Sequence, residues 1–294
     1  MENLPCNYHK QSIMKTYIVA TDFSENAGNA LHYAGALAAF TNASIILYNA
    51  YTVPVHAATG LVSATGVEEL LQANNENLSK LAEPISLQYG VKITTTSKLG
   101  EIVYTIDELV AHSKADLVIM GMHEQKWSDR VFGNHTTAVI RKANYPVLVI
   151  PPEATFSGCK KILYAFDGNK EFSPGSLSVL SDVVARFNAE IQVFHVVTPN
   201  TETRENKLEE TKMYADSDQA FKDITYDFKQ VEEAGVINGI EKEINEFGAD
   251  LLVMVPHKLN VWESLLNQST TRSMCLRTHI PLLVLPNAKT SQEN

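Results

Sequence analysis

Short apolar runs rich in β-branched residues alternate with helical patterns along the chain. The first run, Tyr17–Thr21, predicts a strand. In the segment after it, apolar residues lie three and four positions apart, which predicts one buried face of a helix. Ser24 precedes this segment and is the predicted N-cap of the helix. The alternation continues to Val147–Ile150, where another strand is predicted.

Between these two strands the pattern predicts three further strands and three further helices. They are strands at Ser44–Asn49, Val91–Ser97 and Leu117–Met120, and helices at Val67–Gln88, Ile102–His112 and Val131–Lys142. Short buried strands separated by helices are typical of a parallel sheet covered on both faces. Right-handed crossovers would place the helices on alternate sides of the sheet.

Three strand segments of the first half recur in the same order in the second half. Tyr17–Asp22 recurs as Ile162–Asp167, Ala115–Met120 as Ala249–Met254, and Tyr145–Pro151 as Ile280–Pro286. Matches in register about 140 residues apart indicate a tandem duplication. The predicted fold is therefore α/β, with two tandem doubly wound, mainly parallel five-stranded sheets flanked by helices.

Three segments follow from this division of the chain. We expect a disordered lead at 1–13, a first domain at 14–153 and a second domain at 154–294. The final strands Val147–Ile150 and Leu282–Leu285 would each leave an apolar sheet edge exposed. We therefore expect the two copies to pack as a pseudo-dimer, with these strands near the pseudo-twofold axis.

Charge and cysteine usage narrow the function classes. The chain has a formal net charge of −10 and no long basic run, which argues against general binding of nucleic acid or of anionic membranes. No apolar run reaches the ~18 residues of a membrane-spanning helix, and the N-terminus lacks an apolar signal core. The three cysteines are far apart and odd in number, which predicts a reducing compartment and a cytoplasmic protein.

Polar residues and glycines lie where three strands of copy one end, near Asp22, Asn49 and Gly121. In an open parallel sheet, ligands bind at the carboxyl ends of the strands. From Gly121 a loop leads to Gly133, after which the N–H groups of Asn134, His135 and Thr136 could face an anion. The alternative is an ordinary strand–loop–helix connection whose glycines serve the turns.

Asp22 has two interpretations as well. Its carboxylate could accept a hydrogen bond from a ribose hydroxyl or a base amine, or it could be a turn residue ahead of the helix. Its convergence with the Gly121–Gly133 loop at one edge of the sheet favours a nucleotide. His123, His135 and His257 lie in or beside the loops of the two copies, but no further ligands at metal spacing accompany them.

Four segments of the chain resemble the universal stress protein family in its tandem form. They are Thr21–Ser24, Gly100, Gly121–Thr137 and Asn144–Val149. The resemblance implies a five-stranded doubly wound α/β unit. It also implies that ATP binds, in many members, through the first-strand aspartate and a loop of the form Gly-x-x-Gly, nine residues, Gly-Ser/Thr. Other members of that family bind no nucleotide.

The sequence departs from that loop at three points. Glu124 replaces the middle glycine, the stretch from Gly121 to Gly133 is one residue shorter, and Asn134 replaces the Ser/Thr. A carboxylate at 124 would oppose phosphates, so ADP or AMP should compete well with ATP unless Mg²⁺ bridges Glu124 and the phosphates. The candidate binding residues of copy one are Thr21, Asp22, Asn49, Gly121, His123, Gly133, Asn134, His135 and Thr136.

Copy two lacks the glycines of the loop. Val255 and Gln268 stand where copy one has Gly121 and Gly133, while Asp167 persists at the end of the first strand. Valine and glutamine cannot supply the backbone freedom of glycine, so copy two is predicted to be a structural or regulatory partner without a nucleotide site.

The prediction is a cytoplasmic stress-response protein with an adenine-nucleotide site (ATP, ADP or AMP) in copy one. No catalytic residue is identified, so any catalysis is limited to slow ATP hydrolysis. One alternative is a nucleotide-free interaction scaffold, and another is an enzyme of a related nucleotide-binding fold. Neither a membrane nor a nucleic-acid partner is expected, while homo-oligomerisation and an unknown protein partner are left open.

Overall fold

The computed structural model describes residues 16–52, 64–122, 135–166, 174–197, 221, 224–256, 270–275 and 277–286. Within these residues the chain forms ten strands and seven helices, and each copy contributes five of the strands. The first copy alternates regularly between strands and helices. In the second copy, the segment between its second and third strands lies largely outside the described residues.

The elements of copy one follow the predicted order. They are β1 (Thr16–Ala20), α1 (Glu25–Thr41), β2 (Ser44–Tyr51), α2 (Ala64–Tyr89), β3 (Ile93–Leu99), α3 (Ile102–Ser113), β4 (Leu117–Gly121), α4 (His135–Lys142) and β5 (Val147–Ile150). All five predicted strands are confirmed, with ends that shift by a residue or two. The predicted helices are also present, although the first residues of the helix predicted at Val131–Lys142 lie outside the described residues.

The described elements of copy two repeat the pattern. They are β6 (Lys161–Phe166), α5 (Pro174–Phe187), β7 (Glu190–Val197), β8 (Tyr226–Glu232), α6 (Val236–Phe247), β9 (Leu251–Met254), α7 (Thr270–Met274) and β10 (Leu282–Val284).

The ten strands form one continuous sheet in the order β3-β2-β1-β4-β5-β10-β9-β6-β7-β8. Within each copy all neighbouring strands are parallel, as predicted. The two predicted five-stranded sheets are thus the two halves of a single sheet. In each half the chain starts in the middle strand of the five and reverses direction there, which creates the crevice where doubly wound folds bind ligands.

The two halves join through β5 and β10, which pair antiparallel. Leu148 faces Leu283 in register, with Val149 opposite Leu282 and Val147 opposite Val284. The pseudo-twofold axis therefore passes between Leu148 and Leu283. This arrangement confirms the predicted pairing of the last strands, and it removes two apolar edges that water would otherwise contact.

The apolar core lies in two layers, one on each face of the sheet. Because side chains alternate along a strand, Tyr17 and Val19 belong to one layer, while Ile18 and Ala20 belong to the other. Each layer contains residues of both copies, so neither half has a core wholly of its own. The first layer joins α1 of copy one to α5 of copy two across the pseudo-twofold axis.

The ends of the first helix in each copy have recognisable local causes. The Ser24 hydroxyl accepts a hydrogen bond from Ala27 N at 3.2 Å, which confirms the predicted N-cap of α1. Asn42 and Asn188 follow α1 and α5 in the left-handed conformation, with φ of 56° and 48°. Asparagine adopts this conformation more readily than most residues, so both helices end at equivalent positions.

The first helix of each copy also holds the chain that leaves the last strand of that copy. Asn29 of α1 donates from Nδ2 to the carbonyl oxygens of Pro151 and Ala154, at 3.0 and 3.1 Å. In copy two the Ser176 hydroxyl of α5 donates to the carbonyl of Pro286. The Asn29 bonds fix the start of the linker between the copies, and the Ser176 bond holds the chain just after β10. No helix among the described residues is long and apolar enough to cross a membrane.

A buried ion pair joins β8 to α6 and leads to a stability prediction. Glu243 is 2 % exposed, and its Oε2 lies 2.6 Å from Lys229 Nζ. We expect Lys229→Met to lower the free energy of unfolding by about 2 kcal/mol, because the carboxylate then stays buried without its cation. The partial exposure of the lysine keeps this value below that of a fully buried pair. Urea unfolding at neutral pH measures the change.

The matched control is Lys242→Met. Lys242 Nζ lies 3.1 Å from Glu233 Oε1 on the exposed side of the same helix, where solvent screens the pair, so this substitution should cost much less than Lys229→Met. Equal losses in both variants would contradict the prediction.

The hydrogen bond to Glu243 raises the pKa of Lys229. The contribution of the Lys229–Glu243 pair to stability should therefore be complete at pH values below the ordinary lysine pKa. It should disappear as the pH rises through the raised pKa of Lys229.

Candidate functional site

A cleft opens at the carboxyl ends of β1, β2 and β4 in copy one, with a volume of about 100 Å³. It lies at the point where the strand order reverses, which is where doubly wound sheets bind ligands. Six of the residues predicted from the sequence line it: Thr21, Asp22, Asn49, Gly121, His135 and Thr136. The other three, His123, Gly133 and Asn134, lie outside the described residues, as does Glu124.

Thr21 forms the corner between the end of β1 and the cleft. Its N–H donates to the carbonyl of Tyr48 at 2.8 Å, which extends the pairing of β1 with β2 by one residue. Its hydroxyl oxygen accepts a hydrogen bond from Phe23 N at 3.0 Å. Thr21 is 6 % exposed, so its main effect is to fix the course of the backbone towards Asp22.

Asp22 is exposed at the mouth of the cleft, and its Oδ1 accepts a hydrogen bond from Ser24 N at 3.0 Å. This bond is the turn-forming role that the sequence left as an alternative. The turn also holds Phe23 at φ 65°, in the left-handed region that a bulky side chain rarely adopts. Strained backbone of this kind clusters at functional sites.

Two amide side chains, one on β2 and one on α2, stabilise the cleft through hydrogen bonds. Asn49 Nδ2 donates to the carbonyl of Thr21 at 2.6 Å, and Asn49 Oδ1 accepts from Asn74 Nδ2 at 2.9 Å. Asn49 and Asn74 are 6 % and 7 % exposed, so these bonds form away from bulk water. Asn74 was not predicted from the sequence. An asparagine on the buried face of a long amphipathic helix is the signal that could have indicated it.

Gly121 ends β4 against the first turn of α1. A Cβ atom at this position would lie 2.6 Å from Asn26 O and 2.8 Å from Asn26 C, both backbone atoms. A side chain is therefore excluded by the packing of α1, whether or not a ligand is bound. The Thr136 hydroxyl donates to the carbonyl of Gly121 at 3.2 Å, so in this arrangement its hydrogen is already committed to the protein.

The described walls of the cleft are acidic. Asp22 and Glu101 contribute carboxylates, while His135, exposed at the start of α4, is the one basic side chain among the described lining residues. Carboxylates accept hydrogen bonds from hydroxyl and amine groups but repel phosphate. These walls therefore suit a sugar or a base better than a polyphosphate. Within the described residues there is no cluster of His, Cys, Asp or Glu that could hold a metal ion.

Strand register identifies the corresponding positions in copy two. Ala20 pairs with Tyr48 as Ala165 pairs with Phe194, so Phe166 and His195 correspond to Thr21 and Asn49. His195 Nδ1 donates to the carbonyl of Phe166 at 2.9 Å, the same bond that Asn49 makes in copy one. Copy two thus keeps the hydrogen bond from its second strand to the end of its first strand. It carries larger side chains in place of Thr21 and Asn49, and its Asp167 lies outside the described residues.

The family comparison agrees with this duplicated architecture. The model described as the Universal stress protein family matches residues 14–151 and again residues 158–286. The chain belongs to the universal stress protein family. Its two matches, in tandem, cover both copies described above.

Individual proteins and solved structures are similar to this chain. A universal stress protein of Methanocaldococcus jannaschii is 28 % identical over 144 residues, which cover 48 % of this chain and 84 % of that protein. The crystal structure of a universal stress protein from Archaeoglobus fulgidus covers 93 % of this chain and 98 % of its own, with a TM-score of 0.70 at 19 % identity. A universal stress protein solved in complex with cAMP covers 48 % of this chain and 100 % of its own, with a TM-score of 0.37 at 23 % identity.

Proposed function

We propose that this universal stress protein binds one adenine nucleotide per chain, in the cleft of copy one. The observation that carries the proposal is the convergence of Asp22, Asn49, Gly121 and His135 at the switch point of the sheet. In this proposal the carboxylate of Asp22 accepts from the ribose or the base. The phosphates would bind at the N-terminus of α4, which follows the predicted Gly121–Gly133 loop.

The size of the cleft limits which part of the nucleotide its described walls receive. A volume of about 100 Å³ is below the ~300–1,000 Å³ of typical ligand pockets, so these walls hold a nucleoside fragment. The segments 53–63 and 123–134 continue directly from cleft residues and lie outside the described residues. The acidic walls also support placing the nucleoside beside Asp22 and Glu101 and the phosphates away from these two carboxylates.

Calorimetric titration of the full chain with AMP, ADP and ATP tests the site. We expect a stoichiometry of one, and we expect Asp22→Ala to weaken binding at least tenfold, because it removes a charged hydrogen-bond acceptor. The matched control is Asp167→Ala, the equivalent carboxylate of copy two, which should leave affinity within about twofold. Two equivalent sites per chain would contradict the asymmetry. No binding of any of the three nucleotides would favour the scaffold alternative.

Glu124 provides a separate test of how phosphates are received. If its carboxylate faces them, Glu124→Gly should strengthen ATP binding about tenfold and AMP binding much less, because repulsion grows with phosphate charge. If Mg²⁺ bridges the carboxylate and the phosphates, Glu124→Gly should instead weaken ATP binding when the ion is present. Equal ATP affinity of both proteins, with and without Mg²⁺, would show that Glu124 does not contact phosphate. Phosphate release assayed alongside would reveal any slow ATP hydrolysis.

We also propose a cytoplasmic location. Cys159 and Cys275 are free thiols buried in the core, and burial raises the pKa of each to about 12. Buried unpaired thiols are typical of proteins from reducing compartments. Fractionation of the producing cells should recover the chain with cytoplasmic markers, and recovery with an extracellular or envelope fraction would overturn this proposal.

A further inference from the structure

The sheet ends at β3 in copy one, and one side of this strand faces away from the sheet. Among the described strands β3 pairs with β2 alone, in parallel register. Ile45 N donates to Lys92 O and Gly100 N donates to Tyr51 O, both at 2.9 Å. The even-numbered residues of β3 therefore point their backbone groups towards β2, and the odd-numbered residues point theirs away from the sheet.

Four residues carry these outward N–H and C=O groups, and this strip of backbone is called the β3 edge here. They are Ile93, Thr95, Ser97 and Leu99. Within the described part of the chain, these groups form no backbone hydrogen bond on their outward side. Edge strands are commonly kept from pairing by a central charge or a proline. The centre of β3 has neither, because residues 94–97 are three threonines and a serine.

The sequence of β3 is complementary to itself in antiparallel orientation. Two such strands can be placed about a twofold axis at Thr96. The outward residues then meet in two kinds of pair, each of which occurs twice: Ile93 with Leu99, and Thr95 with Ser97 of the other molecule. Each pair exchanges two backbone hydrogen bonds, so the register gives about eight. Moving the axis to Thr95 or Ser97 would leave one outward residue of each strand without a partner in β3.

The side chains suit this register as well. Leu99 is 43 % exposed, and it would lie opposite Ile93 of the other molecule, so an exposed apolar side chain gains an apolar neighbour. Lys98 would lie opposite Thr94. Its Nζ already donates to Glu108 Oε2 of α3 at 2.8 Å, so its charge is paired within its own molecule. No two like charges face each other across the junction.

The strand at the other end of the sheet, β8, is less suited to pairing with itself. Thr96 pairs with the second strand of copy one as Lys229 pairs with the second strand of copy two, so Lys229 is the corresponding central residue. The same register would place Lys229 opposite Lys229 of the other molecule, and like charges directly opposite destabilise a strand pair. Pairing of β3 with β8 would join molecules head to tail into open filaments.

We propose that the β3 edge is an interface between two molecules of this protein, which pair β3 with β3 antiparallel about a twofold axis at Thr96. Thr96 then lies opposite its own counterpart, and threonine pairs stabilise neighbouring antiparallel strands. The contact uses the same surface on both molecules, so assembly closes at the dimer. The dimer does not depend on nucleotide binding.

Sedimentation velocity of the full chain without nucleotide tests the dimer. We expect a species of twice the mass of one chain at a concentration of about 100 μM, and dissociation on dilution. Thr96→Lys would place two ammonium groups together on the axis and should weaken association at least about tenfold. The matched control is Thr155→Lys, an exposed threonine of the linker, which should leave association unchanged. A monomeric wild type at 100 μM, or equal association of both variants, would overturn the proposal.

Opposite charges on the axis should restore the contact. Thr96→Glu alone should be monomeric for the same reason as Thr96→Lys, whereas an equimolar mixture of the two proteins should form dimers, because each pair then unites a carboxylate with an ammonium group. A mixture that stays monomeric would overturn the proposal. Melting temperatures establish that both variants are folded, and if either is not, the cross-linking experiment decides alone.

Disulfide cross-linking tests the register. In the proposed dimer the Cα atoms of the two Thr96 residues lie about 4.5 Å apart, so Thr96→Cys in a Cys6→Ser background should form a disulfide-linked dimer under mild oxidation. The matched control is Thr94→Cys in the same background. Its two cysteines would be four residues apart along the strand pair, about 14 Å, and should not link. Equal linking of both variants, or linking of neither, would overturn the proposal.

Discussion

Truncating Leu148 to alanine is expected to lower the free energy of unfolding by about 3 kcal/mol, and truncating Leu283 by a similar amount. The two side chains are 5 % and 4 % exposed and face each other in register where β5 meets β10. Each truncation removes apolar surface from a core that both copies share. It also leaves a cavity beside the remaining leucine. Urea unfolding followed by circular dichroism measures the loss.

The double variant gives information that the single variants do not. Its cost should depart from the sum of the two single costs by at least about 0.5 kcal/mol, because the two new cavities merge across the junction. Leu87→Ala is the matched control, since Leu87 is 78 % exposed on α2 and its truncation should change stability by about 0.5 kcal/mol or less. If Leu148→Ala cost no more than Leu87→Ala, the junction would not be part of the core.

The second large effect is expected for Gly121→Val. The new Cβ would lie 2.6 Å from Asn26 O, so the first turn of α1 must move or β4 must bend. We expect a loss of about 3 kcal/mol in the free energy of unfolding, at the upper end for an overpacked site. Because α1 begins directly after the Asp22 turn, the same change should disturb the cleft and abolish nucleotide binding in the proposal above.

Gly28→Ala is the matched control for this substitution. Gly28 lies inside α1, and a Cβ there would have nothing within 4 Å. Alanine should therefore raise the free energy of unfolding by about 0.5–1 kcal/mol, through its better helix propensity. Calorimetric melting of both variants separates the two cases. A neutral Gly121→Val would show that α1 adapts to the side chain, and the packing explanation of this glycine would then be wrong.

Most of the architecture could be predicted from the sequence, for physical reasons that are local. Runs such as Leu117–Met120 and Val147–Ile150 are continuous and apolar because both of their faces are buried, and this pattern belongs to parallel sheets. The repeat reduced the problem to one unit. The apolar last strands then predicted the pairing of β5 with β10, because this pairing removes both apolar edges from water.

The candidate site was only partly predictable. Asp22, Asn49 and Gly121 could be selected because each follows a predicted strand, and strand ends meet at one edge of a parallel sheet. Asn74 could not, since it lies in the middle of α2 and contacts Asn49 only when that helix packs on β2. The sequence predicted Gly121 as part of a phosphate loop. A Cβ atom there would also lie against the backbone of α1, and this contact joins segments about a hundred residues apart, beyond the reach of local sequence signals.

The sequence alone therefore determined the α/β class, the duplication, the order of strands and helices and the loss of glycines in copy two. These properties depend on periodicity, on residue type and on the conformations each residue allows along the chain. Tertiary structure alone decided that the halves form one sheet, that Asn49 and Asn74 form a buried hydrogen bond beside the cleft, and that the backbone of α1 lies against Gly121. These properties depend on which distant side chains packing brings together, and local patterns do not encode such distances.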